Sequence, residues 1–413
     1  MNRELVLSDA EELARKPIRM LVTARDAAAA FHLLEIVHAA KDDPRFAIRV
    51  LAQDPASQIF RAHDIGFRLI PLTPAIRRDS VEAQALLAAA RDELAQFAPA
   101  AVICGLSSPG QGGIDEAILA ESSCPSFVFQ DFWGETNEFF GRGADTFLVL
   151  DAEAAEINAE RHRRASVVVG SPRHQRYRNL VTPGWRESVR ARFGLTGTVI
   201  GLFGQCLHSV DSYGRTLDRW SAIVSELEPR PTILYRPHPR EAPADIRATL
   251  EIATRRGLEL KLAQDCTLEE SIACCSTIFS AFSNCAYDAA HLNAVSSSPL
   301  VTPVLMLFEP ELSALYRSVA PFDKMPYAKH GLAVILTDRD AVSDQLKASL
   351  SDERRRFVWD NAHRHLRSPV SSAAAILSAA MDRVAEGRTS SRPKNAQTSS
   401  KPLATIQIKP ETP

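Results

Sequence analysis

The sequence predicts an α/β protein built as two Rossmann-like halves, whose parallel sheets face each other across a cleft. Three observations carry this. From residue 17 onward, short β-branched runs alternate with longer helical patterns. The alternation breaks at a polar stretch near 175–195 and then begins afresh. A length of 413 residues also fits about two domains better than one core.

In the first half, IRMLVT (18–23) precedes AAAAFHLLEIVHAAK, and AIRVLA (47–52) precedes ASQIFRAHDI. FRLIPL (67–72) is followed by SVEAQALLAAARDELAQF (80–97), a helical pattern with its apolar residues on one face. AAVICG (100–105), SFVFQ (126–130), TFLVL (146–150) and SVVVG (166–170) complete this series. Apolar runs separated by helices are strands of a parallel sheet covered on both faces. RHQRYRNLVTPGWRESVRARFGL (173–195) then interrupts, itself broken by Pro183-Gly184. The second series runs TVIGLF (198–203), TILYR (232–236), LELKLA (258–263), TIFSAF (277–282), PVLMLF (303–308) and LAVIL (332–336). A long final helix over 352–385 is expected to pack back across both halves. The expected domains are therefore 17–178 and 190–385. Residues 387–413, rich in Ser, Thr, Lys and Pro, are expected to form a disordered tail.

Composition narrows the function classes. Hydrophobic residues at 45% and charged residues at 24% are those of a soluble globular chain. A formal net charge of −2 supplies no global basic field, so nucleic acid is not expected as a partner. Seven cysteines lie scattered through apolar stretches without paired CxxC spacing, which reads as free thiols in a reducing compartment and not as a zinc site. The N-terminus is too charged for a signal peptide, and no apolar run nears the ~20 residues of a spanning helix. A cytoplasmic protein is expected, with peripheral association at the inner face of a membrane left open.

Ligands of parallel sheets bind beyond the carboxyl ends of the strands, so the strand-end loops are the candidates. GLSSPGQGGIDEAILA (105–120) leads from a strand into a helix. Gly105, Ser107 and Ser108 there form either a plain flexible loop or an oxygen-rich ligand surface at a helix N-terminus. QDFWGETNEFFGRG (130–143) sets Asp131, Glu135 and Glu138 among aromatics. This is either an acceptor site with a carboxylate as general base or a loop whose aromatics plug the core. LFGQCLHSVDSYGR (202–215) offers Gly204 and Gln205 to phosphates, with His208 a weaker candidate. In TILYRPHPRE (232–241), Pro237 and Pro239 fix the backbone on either side of His238, and Arg236 and Arg240 add positive charge. That is a compact phosphate site, against the alternative of a rigid turn. TIFSAFSNCAYDAAHLNA (277–294) ends a strand at Ser283-Asn284, which can cap a helix or present its N–H groups to an anion, with Asp288 one turn on. Glu309, closing PVLMLFE, is a positional candidate for ribose hydroxyls.

The order of these pieces resembles a group of bacterial two-domain glycosyltransferase-like proteins with the GT-B fold. The features that carry it are the GLSSPG loop at 105–110, Asp131-Phe132-Trp133, Asp151 opening a helix, and VVVGSPRHQRY (167–177). To these the second half adds the His-Pro pair at 238–239 and the Ser-rich strand end at 280–283. The last two are similar to motifs of bacterial polysialyltransferases and CDP-glycerol glycerophosphotransferases. Related layouts occur in UDP-N-acetylglucosamine 2-epimerases and capsule Kdo transferases. Two departures stand out: Gln175 or Arg176 where an aspartate is common, and Asp288 where the family has Glu.

The resemblance implies a nucleotide-activated donor held by the second domain, with His238 and Ser283 on its phosphates and a glycan or lipid-linked acceptor approaching from the first. The expected function is metal-independent transfer of a sugar, or similar group, to a hydroxyl of a cell-surface glycan, with no cofactor. Asp131 or Glu135 would be the base and His238 the electrostatic partner of the leaving group. Epimerisation of a nucleotide sugar and non-catalytic nucleotide-sugar binding are the alternatives.

Overall fold

The computed structural model describes residues 17–73, 76–319, 326–366 and 372–390. Two wholly parallel sheets result. The first holds β1 (Ile18–Ala24), β2 (Phe46–Ala52), β3 (Arg68–Leu69), β4 (Ala101–Cys104), β5 (Ser126–Gln130), β6 (Thr146–Val149) and β7 (Ala165–Val168), in the order β3-β2-β1-β4-β5-β6-β7. The second holds β8 (Val199–Phe203), β9 (Thr232–Arg236), β10 (Leu260–Leu262), β11 (Thr277–Ser280), β12 (Thr302–Met306) and β13 (Val334–Leu336), in the order β10-β9-β8-β11-β12-β13. The two sheets thus repeat one topology, with β8 standing where β1 stands and β11 where β4 stands. This is the GT-B-like arrangement expected from the sequence.

The physical reason for the parallel pairing lies in the strands themselves. β4, β5, β6, β8, β11 and β12 are buried along their whole length, and all but β5, which a loop joins to β6, are followed by a helix. Burying one such Leu, Ile or Phe side chain contributes about 1.5–3 kcal/mol. Helix 81–97 forms as its pattern predicts, with the Ser80 side chain accepting the Ala83 N–H and Leu86 and Ala90 turned inward. β3 is the poorest match to expectation, since only two residues of the 67–72 run pair. Pro71, which has no N–H to donate, ends the ladder.

The polar stretch after β7 is not a free linker. It folds into short helices, Pro172–Gln175, Tyr177–Leu180 and Trp185–Arg192. Tyr177, Val189 and Leu195 pack with Val199, Phe203, Ile278 and Leu292 of the second half. The expected single final helix is two helices. Asp352–His365 packs on helix Cys285–Val295 of the second half, and Ser372–Ser390 returns to helix Ala27–Lys41 of the first. Residues 387–390, expected in the tail, are the end of that last helix; 391–413 lie outside the described residues. Among the described residues no helix is long and apolar enough to cross a membrane.

Candidate functional site

In each sheet the strand order reverses beside the first strand, between β1 and β4 and between β8 and β11. Crevices open at such switch points. A cavity of about 550 Å³ lies there, walled by Ala27, Ala28 and Phe31 beyond β1, by Gly204 beyond β8, by 236–239 beyond β9, and by Ser283, Asn284, Cys285 and Asp288 beyond β11. Arg173, Arg176 and Arg236 outnumber Glu269 and Asp288 in its wall, so its field favours an anion.

The turn after β9 is built around Glu241, a residue sequence reasoning missed. Its buried carboxylate accepts the His238 backbone N–H at 2.7 Å, the Tyr235 hydroxyl at 2.7 Å and a contact from His208 Nε2 at 3.2 Å. Gly204 lies so close that a Cβ there would collide with this carboxylate. The Arg240 backbone N–H donates to His238 Nδ1 at 3.1 Å, which leaves the ring proton on Nε2. Partial burial, with the Arg240 charge nearby, lowers the His238 pKa, so the ring is a neutral donor at pH 7. Arg236 is anchored through Nη1 to Ser271 Oγ at 2.7 Å and the Cys266 and Thr267 carbonyls at 3.0 and 3.2 Å.

Helix Cys285–Val295 points its N-terminus at the same cavity. Ser283 Oγ accepts the Cys285 N–H at 3.2 Å, whereas Asn284 makes no side-chain cap. One turn in, Asp288 Oδ1 accepts from Arg173 at 2.7 Å, His174 Nε2 at 2.9 Å and the Tyr177 hydroxyl at 3.0 Å. His174 Nδ1 in turn accepts from Ser171 Oγ at 2.6 Å. Burial and the adjacent arginines push the His174 pKa well down, so this is a neutral imidazole between a hydroxyl and a carboxylate. Arg176 pairs with Glu269 at 2.6 Å. Residues around the departure at Gln175-Arg176 thus supply the polar junction between the halves: Arg173, His174 and Tyr177 on Asp288, and Arg176 on Glu269. Nothing in the local pattern reveals it, because the partners of Asp288 are more than a hundred positions away from it.

Other expected site residues sit elsewhere. Gly105 N–H donates to buried Asp115 at 3.1 Å, and its missing Cβ makes room for Ala29. Ser107 is buried, its N–H on Glu116 at 3.3 Å. Ser108 caps onto Asp26 through both N–H and Oγ, at 3.1 and 3.3 Å. These three are outside the cavity wall. So is Gln205, whose Oε1 takes the Phe282 N–H at 2.8 Å and ties the loops after β8 and β11 together. Arg240 is exposed and contributes its backbone, not its guanidinium, to the site. Glu309 is buried between Arg215 at 3.1 Å and Arg339 at 3.4 Å, on neither side of the cavity.

The 130–143 loop divides its labour. Trp133 is buried and donates to Asp151, whose carboxylate also caps helix Ala152–His162, so this aromatic does plug the core. Glu138 is exposed and paired with Arg164 at 3.0 Å. Asp131 and Glu135, the expected bases, do not line this cavity, though both are close enough to Asp26 to feel its charge and Asp131 feels that of Arg173. Burial is the main cause that raises their pKa values, to about 6 and about 7.

With this geometry in place, comparison with solved structures places the fold. S. aureus MnaA, solved with UDP, superimposes with a TM-score of 0.64 at 11% identity, covering 87% of this chain and 95% of that one. UDP-GlcNAc 2-epimerase from Neisseria meningitidis, bound to UDP-GlcNAc, gives 0.59 at 11%, covering 89% and 100%. A glycosyltransferase from Rickettsia africae gives 0.60 at 9%, covering 92% and 100%. The fold is GT-B-like. No family model matches the chain, and no curated protein matches it by sequence.

Proposed function

We propose that the cleft binds a nucleotide-activated sugar, breaks its anomeric C–O bond and transfers the sugar to an acceptor hydroxyl. The observation that carries this is the convergence of His238, Arg236 and the N-terminus of helix Cys285–Val295 on one arginine-rich cavity at the switch point. A nucleoside diphosphate leaves as an anion. A fixed Nε2–H, a guanidinium and the positive end of a helix dipole stabilise that charge without reorganising. Asp131 or Glu135 is the base: a carboxyl near pKa 6–7 is both deprotonated and basic enough at neutral pH. Similarity to solved nucleotide-sugar enzymes supports the donor class.

Epimerisation is the second reading, and one observation favours it. Asp26, Asp131 and Glu135 lie within electrostatic reach of one another, so several acid–base groups flank one position. Product analysis separates the two. Incubation with a panel of nucleotide sugars and sugar acceptors yields free nucleotide and a glycosylated acceptor if the chain is a transferase. An intact nucleotide sugar with inverted ring chemistry means epimerisation, and no turnover of any donor sinks both.

A further inference from the structure

Helix Ala27–Lys41 of the first half and helix Cys285–Val295 of the second approach each other across the short linker helix Pro172–Gln175. Each of the three brings one histidine to the meeting point: His32, His291 and His174. The His174 and His291 rings stack 3.9 Å apart and within 8° of parallel, and the His32 ring stands 6.3 Å from His174, edge on. None of the three is more than 5% exposed. Imidazoles packed so closely away from water share the space only while uncharged, because buried like charges a few ångströms apart repel strongly.

The groups around the trio do not relieve that repulsion. Arg173 sends its backbone N–H to His32 Nδ1 at 3.4 Å, and its charge reaches all three rings; Arg176 adds to it at His174. The acid that faces them is Asp288, whose carboxylate already takes Arg173, His174 and Tyr177. The other contacts are neutral. Phe129 stacks on His32, Tyr177 lies edge-on to His174, Tyr287 lies edge-on to both His174 and His291, and Ser171 Oγ meets His174 Nδ1. Burial first, and then the neighbouring imidazoles and arginines, hold all three pKa values well below the ordinary 6.5. We propose that the trio is an acid-sensitive latch between the halves, closed while all three rings are neutral and released when they take up protons. The two helices that meet at it also wall the first cavity, through Ala28 and Phe31 on one and Cys285 and Asp288 on the other, so release widens that cavity. Opening returns each ring to water and to its ordinary pKa. By pH 5 the open form is then favoured about thirtyfold per histidine relative to pH 8.

The test is small-angle scattering with circular dichroism on the full chain from pH 8 to pH 5, for wild type and for a double variant, His32→Phe with His291→Phe. The double variant keeps aromatic rings in place and removes two of the three titrating groups. Wild type expands reversibly below pH 6.5 with its helical signal intact, and the double variant stays closed to a pH about one unit lower or more. Urea midpoints give a second readout. Between pH 6.5 and pH 5 the slope of stability against pH shows about two fewer protons taken up by the double variant, and about one fewer by His291→Phe alone, whose Nε2 has no partner to lose among the described residues. A slope is unaffected by any constant cost of the larger ring. The comparison also cancels Asp131 and Glu135, whose titration in this window acts in the opposite sense. Three results overturn the proposal: one radius for wild type at pH 8 and pH 5, loss of the helical signal as the chain expands, or a double variant that opens at the same pH with the same slope. No readout uses a nucleotide, so the outcome does not depend on whether the first cavity turns over a nucleotide sugar.

Discussion

The loops after β4 and β11 leave equivalent positions of their sheets, and both are small-residue turns running into a helix, yet they do opposite things. After β4 the chain closes on itself. Asp115 takes the Arg25 and Gly105 N–H groups, Glu116 takes the Ser107 N–H, Gln53 takes the Ile114 N–H, and Asn137 collects carbonyls of 107, 108 and 111. Burial raises both carboxyls, Asp115 to about 6 and Glu116 to about 8, as expected where acids are walled off from water. After β11 the helix start stays uncapped by Asn284 and faces a cavity shared with His238 and Arg236. The same local pattern is a structural plug when internal carboxylates reach its donors, and lines an arginine-rich cavity, the proposed anion site, when they do not.

Four changes break or sharpen this contrast. The largest effect is expected of Asp288→Ala, which strands the Arg173 charge at the junction of the halves. Losing one partner of such a buried pair costs about 3–5 kcal/mol, visible as a lower midpoint in urea. Next, His238→Ala removes the fixed donor and should lower turnover of any active nucleotide sugar by about a hundredfold or more, with the fold intact by circular dichroism. If turnover is unchanged, the leaving-group role is wrong.

The third concerns pH. The folded pKa values of Asp131 and Glu135 lie above their ordinary ones, so ionising them costs stability, which is greatest at low pH and falls as pH rises through 6–7. Asp131→Asn should therefore raise the melting temperature relative to wild type at pH 8 and change it little near pH 4. In the same window a base role makes kcat/KM rise with pH, and a rate flat from pH 5 to pH 8 excludes both carboxyls as the base. The smallest effect separates the two loops directly. Ser283→Ala should weaken nucleotide binding about fivefold, as expected for a lost hydrogen bond of roughly 1 kcal/mol, whereas Ser108→Ala should leave it unchanged.

Much of this was legible in the sequence, and the remainder was hidden for a definite reason. Periodicity identified the strands, and the prolines around His238 and the small residues before Cys285 marked two strand ends that do converge. What a linear pattern does not carry is which distant group satisfies a given donor. Asp115 and Glu116 turn inward to the Gly-Ser loop, and Arg215 and Arg339 claim Glu309. Arg173, His174 and Tyr177 reach Asp288 only because the linker folds onto the second sheet. Glu241 did leave a trace: an acid three residues past His238, at the close of a proline-locked turn, is placed to hold that histidine's own N–H.

The central claim is that the cavity around His238 is a nucleotide site. Thermal unfolding with a panel of nucleoside diphosphates, on wild type, His238→Ala and Ser108→Ala, tests it most directly. At a hundredfold excess over Kd, mass action predicts about 2.7 kcal/mol of stabilisation for wild type and for Ser108→Ala. His238→Ala should lose most of it. The account is contradicted if no nucleotide stabilises the wild type, or if His238→Ala responds as fully as Ser108→Ala does.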